Sequence, residues 1–473
     1  MIRDAIENVV LVTVDSLRAD AISPYDPDRH TPKLQAIADD AAVFEHAFAN
    51  GNWTPFAFPG ILASRPVFAD SGRIGVEASR TLAEVLSTAG LQTAGFNAAN
   101  GFLTNHWGYD DGFDRFEPFV SDVGSNRYSR YLAAHPTVEA WVQLARSPFR
   151  RFLSKLRGDA DDKPFHDASR GLDVERRATE FIAEAGGPFF LWVHYMDTHT
   201  PYTPAPRYVR EVSGSRLGTH RMLFAHTKTG LGWGVGERTL SDLRTLYRSA
   251  VRQVDASIGR LREALADAGV ADDTAFVVAG DHGEEFQEHG HLAHYPKLYD
   301  ELCHVPLVVD VPGADGRRVD GAVGLDAIPP TVCEAVGTEP DPTWTGRSLV
   351  PSILDGDAPP DEPVLSVTVR GEEVTSQPIP RGLDDGDLLV SARTAEWTYI
   401  TNTADGGEEL YHRPSDRRQQ TDLASADGDA ETAAMERFRP LAAAHADSLT
   451  GADADPAEVD SDLETRLSAL GYR

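Results

Sequence analysis

The sequence is poor in cysteine and has no long apolar run. Only Cys303 and Cys333 are present among the 473 residues, which excludes a disulfide framework and a cysteine-based zinc motif. No window holds eighteen consecutive apolar residues, so we predict no membrane-spanning helix. The segment 1–7 carries acids and lacks an apolar stretch, so we expect no signal peptide and a cytoplasmic protein.

Lysine is also scarce, with five residues against a large excess of acids. The formal net charge is −30 and the isoelectric point is about 4.8. An acidic, lysine-poor surface keeps a protein hydrated at high salt, which favours a halophilic, haloarchaeal source over an ordinary acidic cytosolic protein. The same charge argues against nucleic acid as a partner.

Apolar runs typical of buried strands alternate with helical patterns over the first 350 residues. The runs Val9–Val14, Phe189–His194 and Phe276–Ala279 predict strands, and Ser241–Ala266 predicts a long helix. This alternation indicates an α/β fold. We expect a large mixed, mostly parallel sheet with helices on both faces.

The composition changes after about residue 351, where prolines precede short strand-like runs at Leu388–Ala392 and Trp397–Thr401. We therefore predict a large α/β domain over residues 1–375. Residues 376–473 then form a small C-terminal α+β subdomain with an antiparallel sheet and an acidic tail.

One segment contradicts the global charge. Within a predicted insertion at about residues 120–175, residues 146–157 combine five arginines and lysines with interleaved apolar side chains. An amphipathic basic helix of this kind binds an anionic membrane surface or a partner. The alternative is a helix that neutralises an acidic neighbour within the same protein.

Three predicted strands end in side chains that bind metals. Asp15 follows the first strand, His199 lies shortly after the second, and Asp281 and His282 follow the third. The carboxyl ends of parallel strands share one edge of a sheet, which is where ligands bind. A capping turn explains any one of these residues alone. Together they favour a divalent metal site with oxygen and nitrogen ligands.

The chain resembles the sulfatase family of the alkaline-phosphatase superfamily. The resemblance runs in the family's order through three main motifs and four shorter ones: Val10–Asp20, Gly280–Gly290 and Lys297–Leu307, with Gly112–Phe116, Phe189–Pro201, Thr345–Leu349 and Glu409–Leu423. It implies an alkaline-phosphatase-like fold. It also implies a hydrolase acting on a sulfate or phosphate ester, whether small, glycan-linked or lipid-linked.

The resemblance assigns the metal to Asp15, Asp281 and His282. Ca²⁺ is the ion that the family implies, and Mn²⁺, Zn²⁺ and Mg²⁺ remain alternatives. Ser16 stands where typical sulfatases have a second aspartate, so one carboxylate of the usual ligand set is missing. The imidazole of His282 suits a transition metal better than calcium.

The nucleophile position is occupied by Thr54. In the family it is a cysteine or serine of a Cys/Ser-x-Pro-x-Arg motif that becomes formylglycine, which cannot form from threonine. Phe56 and Phe58 replace the proline and the arginine of that motif. The resemblance then implies a threonine ester cleaved by water, with Thr54 also contacting the metal. The alternative role for Thr54 is a helix N-cap.

Further site residues follow from matched positions. Lys297 matches a lysine that contacts the substrate anion, and His199 matches a histidine that contacts the anion or protonates the leaving group. Arg18 either pairs with an oxyanion or braces its loop. Asn97, with Asn100, lies where the family often has an anion-binding lysine.

His289 lies in a histidine cluster with His291 and His294, which lines the pocket, binds a second metal or forms a solvated loop. Two other functions remain open besides ester hydrolysis. One is a transferase of phosphoalcohol head groups, since superfamily transferases and phosphodiesterases use threonine nucleophiles. The other is a catalytically silent protein that binds a sulfated or phosphorylated glycan.

Overall fold

The computed structural model describes residues 6–119, 169–214, 219–230, 234–294, 297–370 and 386–450, with residues 164, 217, 382 and 383. Three predictions lie outside these residues: the basic helix at 146–157, the domain boundary at 375/376 and the acidic tail. No helix in the described part of the chain is long and apolar enough to cross a lipid bilayer.

The main sheet has eight strands. They are β1 (Asn8–Val14), β2 (Ala42–Phe48), β3 (Gln92–Asn97), β4 (Arg115–Glu117), β5 (Phe189–Tyr195), β6 (Thr274–Gly280), β9 (Leu307–Asp310) and β10 (Arg317–Gly324). Their order is β10-β2-β9-β6-β1-β5-β3-β4. Only β9 runs antiparallel to its neighbours among these strands, so the predicted mixed, mostly parallel sheet is confirmed. A two-stranded ribbon, β7 (Glu285–Phe286) and β8 (Leu292–Ala293), follows β6.

Helices cover both faces of the main sheet. They are α1 (Pro32–Ala38), α2 (Thr54–Ala63), α3 (Leu82–Thr88), α4 (Gly171–Glu184), α5 (Pro206–Ser213), α6 (Thr219–Gly230), α7 (Glu237–Ala268), α8 (Asp300–Cys303), α9 (Ile328–Ala335) and α10 (Val350–Leu354). Alternate residues of β1 enter different cores, since side chains point to opposite faces of a strand. Val9 and Leu11 pack with α2, α3 and α9, whereas Val10 and Val12 pack with α1, α4 and α7.

A second, antiparallel sheet lies toward the C-terminus, as predicted. Its strands are β11 (Val364–Arg370), β12 (Asp387–Arg393), β13 (Trp397–Asn402) and β14 (Glu408–His412), in that order, followed by α11 (Asp429–Thr450). Strand β11 precedes the predicted boundary, yet it pairs with β12 along its whole length.

This small sheet is joined to the catalytic part just before α2. The N–H of Val367 donates to the carbonyl of Asn50 at 2.9 Å, and the hydroxyl of Ser366 donates to the carbonyl of Ala49 at 2.7 Å. Buried side chains of β12, β13 and α11 belong to the same hydrophobic core as those of α2.

His304 follows α8 and lies between the two sheets, where its Nε2–H donates to the carbonyl of Glu45 at 2.9 Å. Burial, with the nearby Arg413, lowers the pKa of His304 from 6.5 to about 4. The unfolded chain therefore binds the extra proton between these pH values, and stability falls as the pH drops through this window.

Replacing His304 with glutamine removes this proton linkage while keeping a donor for Glu45. We expect the loss of unfolding free energy between pH 7.5 and pH 5 to be about 2 kcal/mol smaller in His304→Gln than in the wild type. Denaturant titrations at the two pH values measure this difference. Replacement of the exposed His30 with glutamine is the control, and an unchanged pH dependence in His304→Gln contradicts the prediction.

Candidate active site

The predicted metal ligands meet because three parallel strands end level with one another. In the sheet register Val14 of β1 lies beside Tyr195 of β5 and Gly280 of β6. The next residues, Asp15 and Asp281, are therefore neighbours, and both are 0% exposed. The geometry confirms that the strand-end carboxylates converge.

His282 completes this cluster. Ligand atoms of Asp15, Asp281 and His282 all lie within 4.8 Å of one another. The Nδ1 of His282 is 2.9 Å from the carbonyl of Gly283, so Nδ1 carries the proton and the Nε2 lone pair faces the carboxylates. Such a hydrogen bond on the far ring nitrogen is typical of metal-binding histidines.

Thr54 places its hydroxyl among these three side chains. Its Oγ1 is 3.1 Å from Oδ2 of Asp281 and 3.3 Å from Oδ2 of Asp15. It also lies 3.4 Å from Nε2 of His282. Thr54 is the first residue of α2, whose N-cap is Trp53. The N-cap alternative for Thr54 is therefore wrong, and its side chain belongs to the cluster.

Asn100 is the amide that reaches the cluster. Its Nδ2 is 3.0 Å from Oδ2 of Asp15 and 3.4 Å from Oγ1 of Thr54. Its Oδ1 accepts the N–H of Phe102 at 3.0 Å, which fixes the amide with its NH₂ group toward the site.

Asn97, which we expected at an anion-binding position, instead hydrogen-bonds the backbone of its own loop. Its Nδ2 donates to the carbonyls of Asn100 and Leu103 at 3.1 and 2.7 Å. These bonds curl the loop after β3 and hold Asn100 in position. Asn97 therefore supports the loop, and Asn100 is the amide that lies beside Asp15 and Thr54.

The two carboxylates of the cluster need a positive partner. Burial and the adjoining Asp15 raise the pKa of Asp281 well above its usual range. Burial alone opposes ionisation of Asp15, but the neighbouring His199, His194 and His282 lower its pKa. Among the described residues, the ion pairs of both aspartates involve histidines only. This donor set fits a divalent cation.

The backbone around Ser16 orients both aspartates. Ser16 has a positive φ of 57°, which an L-residue adopts at some cost. In this conformation its N–H donates to Oδ1 of Asp281 and its hydroxyl to Oδ1 of Asp15, each at 3.0 Å. The remaining Oδ2 atoms of the two aspartates both face Thr54.

Histidines and a buried acid form one side of the site. The rings of His199 and His282 each lie 5.0 Å from the ring of His294. The Nδ1 of His294 is 3.1 Å from Oε2 of Glu284, and Tyr202 donates its hydroxyl to the other Glu284 oxygen. Burial raises the pKa of Glu284 to about 7 and lowers that of His294 to about 3. Sequence reasoning missed Glu284.

Arg18 braces its own loop. Its guanidinium donates to both carboxylate oxygens of Asp20 at 2.8 Å, and to Glu288 and the carbonyl of Glu284 at 3.0 Å. Of the two predicted roles for Arg18, the contacts match the loop brace.

Lys297 and His289 each contact a carboxylate of the protein. Lys297 Nζ is 3.5 Å from Oε1 of Glu409 and 5.4 Å from the ring centre of Tyr299, so its contact with a substrate anion stays a prediction. His289 bonds Glu301 instead of the pocket. The predicted histidine cluster is divided, because His294 alone of the three borders the ring of His282.

Comparison with known proteins identifies the family of the chain. A family model described as Sulfatase matches residues 7–338. The multifunctional alkaline phosphatase superfamily protein PehA of Trinickia caryophylli is 28% identical over 228 residues, or 42% of this chain and 44% of that protein. Human iduronate 2-sulfatase is 39% identical over 349 residues, or 65% and 60% of the two chains.

Solved structures extend the likeness of fold over nearly the whole chain. The phosphonate monoester hydrolase of Agrobacterium radiobacter superposes with a TM-score of 0.69 at 19% identity, over 93% of this chain and 96% of that one. The alignments with the first curated relatives span less than half of their length, 44% of PehA and 24% of arylsulfatase K from Xenopus laevis. Since the family model covers most of the chain, the protein belongs to the sulfatase family.

Proposed function

We propose that the protein is a metal-dependent hydrolase that cleaves a sulfate or phosphate ester through a covalent intermediate on Thr54. The observation that carries this proposal is the position of the Thr54 hydroxyl, within 3.4 Å of Asp15, Asp281 and His282. A threonine that serves only to start a helix has no need of two carboxylates and an imidazole around its oxygen.

Asp15, Asp281 and Nε2 of His282 would hold the cation, with the Thr54 hydroxyl beside it. A divalent ion bound there lowers the pKa of an adjoining hydroxyl and offsets negative charge on the group being transferred. Family resemblance favours Ca²⁺, while the imidazole ligand suits Mn²⁺ or Zn²⁺.

Thr54 then acts as the nucleophile. Its proton passes to a carboxylate oxygen, for which Oδ2 of Asp281 at 3.1 Å is the nearest acceptor. The Asn100 NH₂ group, 3.4 Å from the hydroxyl, donates to an oxygen of the transferring group. The start of α2 adds the positive end of a buried helix at the same point.

His199 handles the proton in the second half of the reaction. Its Nδ1 is 2.6 Å from the carbonyl of Thr200, so Nδ1 carries the proton and Nε2 is the basic atom. Burial lowers the pKa of His199, which keeps the ring neutral and suited to take a proton from water. Glu284, with a pKa of about 7, holds a proton for the leaving group at neutral pH.

The charges around the site favour a singly charged ester. Among the described residues, no lysine or arginine pairs with Asp15 or Asp281, so a divalent cation leaves the cluster near neutrality. A doubly charged phosphate monoester then meets less compensation than a sulfate monoester or a phosphodiester. We expect the latter two classes to be the better substrates.

A substrate panel with metal removal tests the function. We expect turnover of an aryl sulfate or aryl phosphodiester to exceed that of an aryl phosphate. Chelation should lower turnover roughly 10³-fold, because such ions contribute several kcal/mol to transition-state binding. Adding back Ca²⁺, Mn²⁺, Zn²⁺ or Mg²⁺ singly should restore it.

The same assay separates the alternatives. Transfer of the head group to an added alcohol in place of water identifies a phosphoalcohol transferase. A protein that turns over no ester with any metal, but still binds a sulfated or phosphorylated glycan, contradicts the hydrolase proposal and supports a silent binding protein.

A further inference from the structure

A second cluster of metal-binding side chains lies on the far side of the loop that carries Glu284. It consists of Glu285 on β7, His289 in the following turn and Glu301 on α8, with ligand atoms all within 4.8 Å of one another. Glu285 is 0% and Glu301 7% exposed. Neither acid belongs to the cluster of Asp15, Asp281 and His282. Two buried carboxylates need a positively charged partner.

Glu285 directs one carboxylate oxygen to the backbone and leaves the other without a partner. Its Oε1 accepts the N–H groups of His289 and His291 at 2.9 and 2.8 Å. Its Oε2 is buried and has no hydrogen-bond partner among the described residues. A buried carboxylate oxygen of this kind is costly unless it binds a cation.

His289 is oriented as a metal ligand. Its Nε2 lies 3.0 Å from the carbonyl of Gln419 and 3.1 Å from the amide nitrogen of Gln420, and its Nδ1 is hydrogen-bonded to Oε1 of Glu301. Histidines that bind metals donate their second ring N–H to a carbonyl or carboxylate in this way. The ring also stacks on Tyr299, with centroids 3.6 Å apart and planes at 13°, which holds Nδ1 in place.

A protonated His289 paired with Glu301 is the competing explanation. That ion pair balances only one of the two buried carboxylates and does nothing for Oε2 of Glu285. A divalent cation balances both acids while the imidazole stays neutral.

We propose that Glu285, Nδ1 of His289 and Glu301 form a second divalent-metal site, distinct from the Asp15 cluster. One imidazole and two carboxylates make a donor set that suits Zn²⁺ or a similar transition metal better than Ca²⁺. Three protein ligands leave a fourth position for water.

This site would tie three segments together. The turn after β6, which also carries Glu284 and His294, is joined through Glu285 and His289 to α8 and to the backbone at Gln419. The ion thus acts as a structural clamp that keeps the Glu284 side of the active site in position, and it takes no part in the chemistry.

Zinc binding in a background without the first site tests the proposal. The chain carrying Asp281→Asn is stripped with a chelator, desalted and titrated with Zn²⁺. Bound zinc is measured by elemental analysis, and thermal unfolding is followed in parallel. Adding His289→Gln should remove roughly one bound Zn²⁺ per chain and abolish the zinc-dependent rise in Tm.

Two further variants make the result decisive. Glu285→Gln, which keeps the side-chain shape, should also lose that zinc, whereas His291→Gln, on the same loop, should retain it. Circular dichroism confirms that each variant is folded. Equal zinc binding with and without His289 and Glu285 overturns the proposal, and so does an equal loss in His291→Gln. Neither readout depends on whether the protein hydrolyses an ester.

Discussion

Replacing Thr54 with alanine is expected to lower kcat for any ester that the wild type hydrolyses by at least about 10³-fold. Removing a covalent nucleophile deletes the attacking atom itself and not merely one stabilising contact. Steady-state assays of the wild type and of Thr54→Ala on the same aryl ester measure the effect. Mass spectrometry of an acid-quenched wild-type reaction should find the sulfate or phosphate on the peptide that contains Thr54.

Two controls separate loss of the nucleophile from loss of the site. Thr54→Ser keeps the hydroxyl and should retain much of the activity. Thr54→Ala should still bind metal, because Asp15, Asp281 and His282 remain. Unchanged turnover in the alanine variant would show that Thr54 is not the nucleophile, and the carboxylate cluster would then have to activate water directly.

Replacing Gly283 with alanine is expected to destabilise the protein by about 3 kcal/mol or more, as forced overpacking against a backbone does. A Cβ at this position would overlap the carbonyl of Glu301 and lie 3.1 Å from Cα of Leu302. The two segments are also joined by backbone bonds, from Gly283 to Leu302 at 2.8 Å and from Glu284 to Glu301 at 2.9 Å. Neither backbone can move away without breaking these bonds.

Denaturant unfolding of Gly283→Ala measures this cost. Gly186→Ala is the matched control, because a Cβ at Gly186 meets nothing within 4 Å and its φ is not positive. That variant should unfold within about 0.5 kcal/mol of the wild type. A Gly283→Ala protein with the stability of the wild type would contradict the close approach of Gly283 to the backbone of Glu301 and Leu302.

The sequence was sufficient to place the three proposed metal ligands together. Asp15, Asp281 and His282 each follow an apolar run directly, and parallel strands bring such positions to one edge. No folding detail beyond the strand ends is needed to place them together. The position of Thr54 followed from motif order, which places α2 before the third strand of the chain.

Loop residues were less predictable, because their contacts depend on how each loop curls. Asn97 and Asn100 are three residues apart, and only the bonds from Asn97 to the carbonyls of Asn100 and Leu103 decide which amide faces the cluster. The contact of Lys297 with Glu409 of β14, more than 100 positions away, is likewise invisible in the local sequence, and its contact with a substrate anion stays a prediction.

The role of Glu284 could not be predicted from its neighbours in the sequence. It follows the Asp-His-Gly motif directly, where an acid would ordinarily be taken for a solvated loop residue. Burial raises its pKa, and its contacts with Tyr202 and His294 depend on how the surrounding loops fold. The direction of β9 was equally hidden, because an apolar run does not reveal which way its strand runs.

The attachment of β11 to residues 49–51 makes the C-terminal sheet part of the same folding unit as the main sheet. The family match ends at residue 338, but Ser366 and Val367 hold the backbone just ahead of Thr54, and the core around α2 includes side chains from β12, β13 and α11. We therefore expect the two sheets to unfold in one cooperative transition. A chain that stops at the family boundary would expose to water the apolar residues of α2, the helix that begins at Thr54, so we expect it not to fold stably.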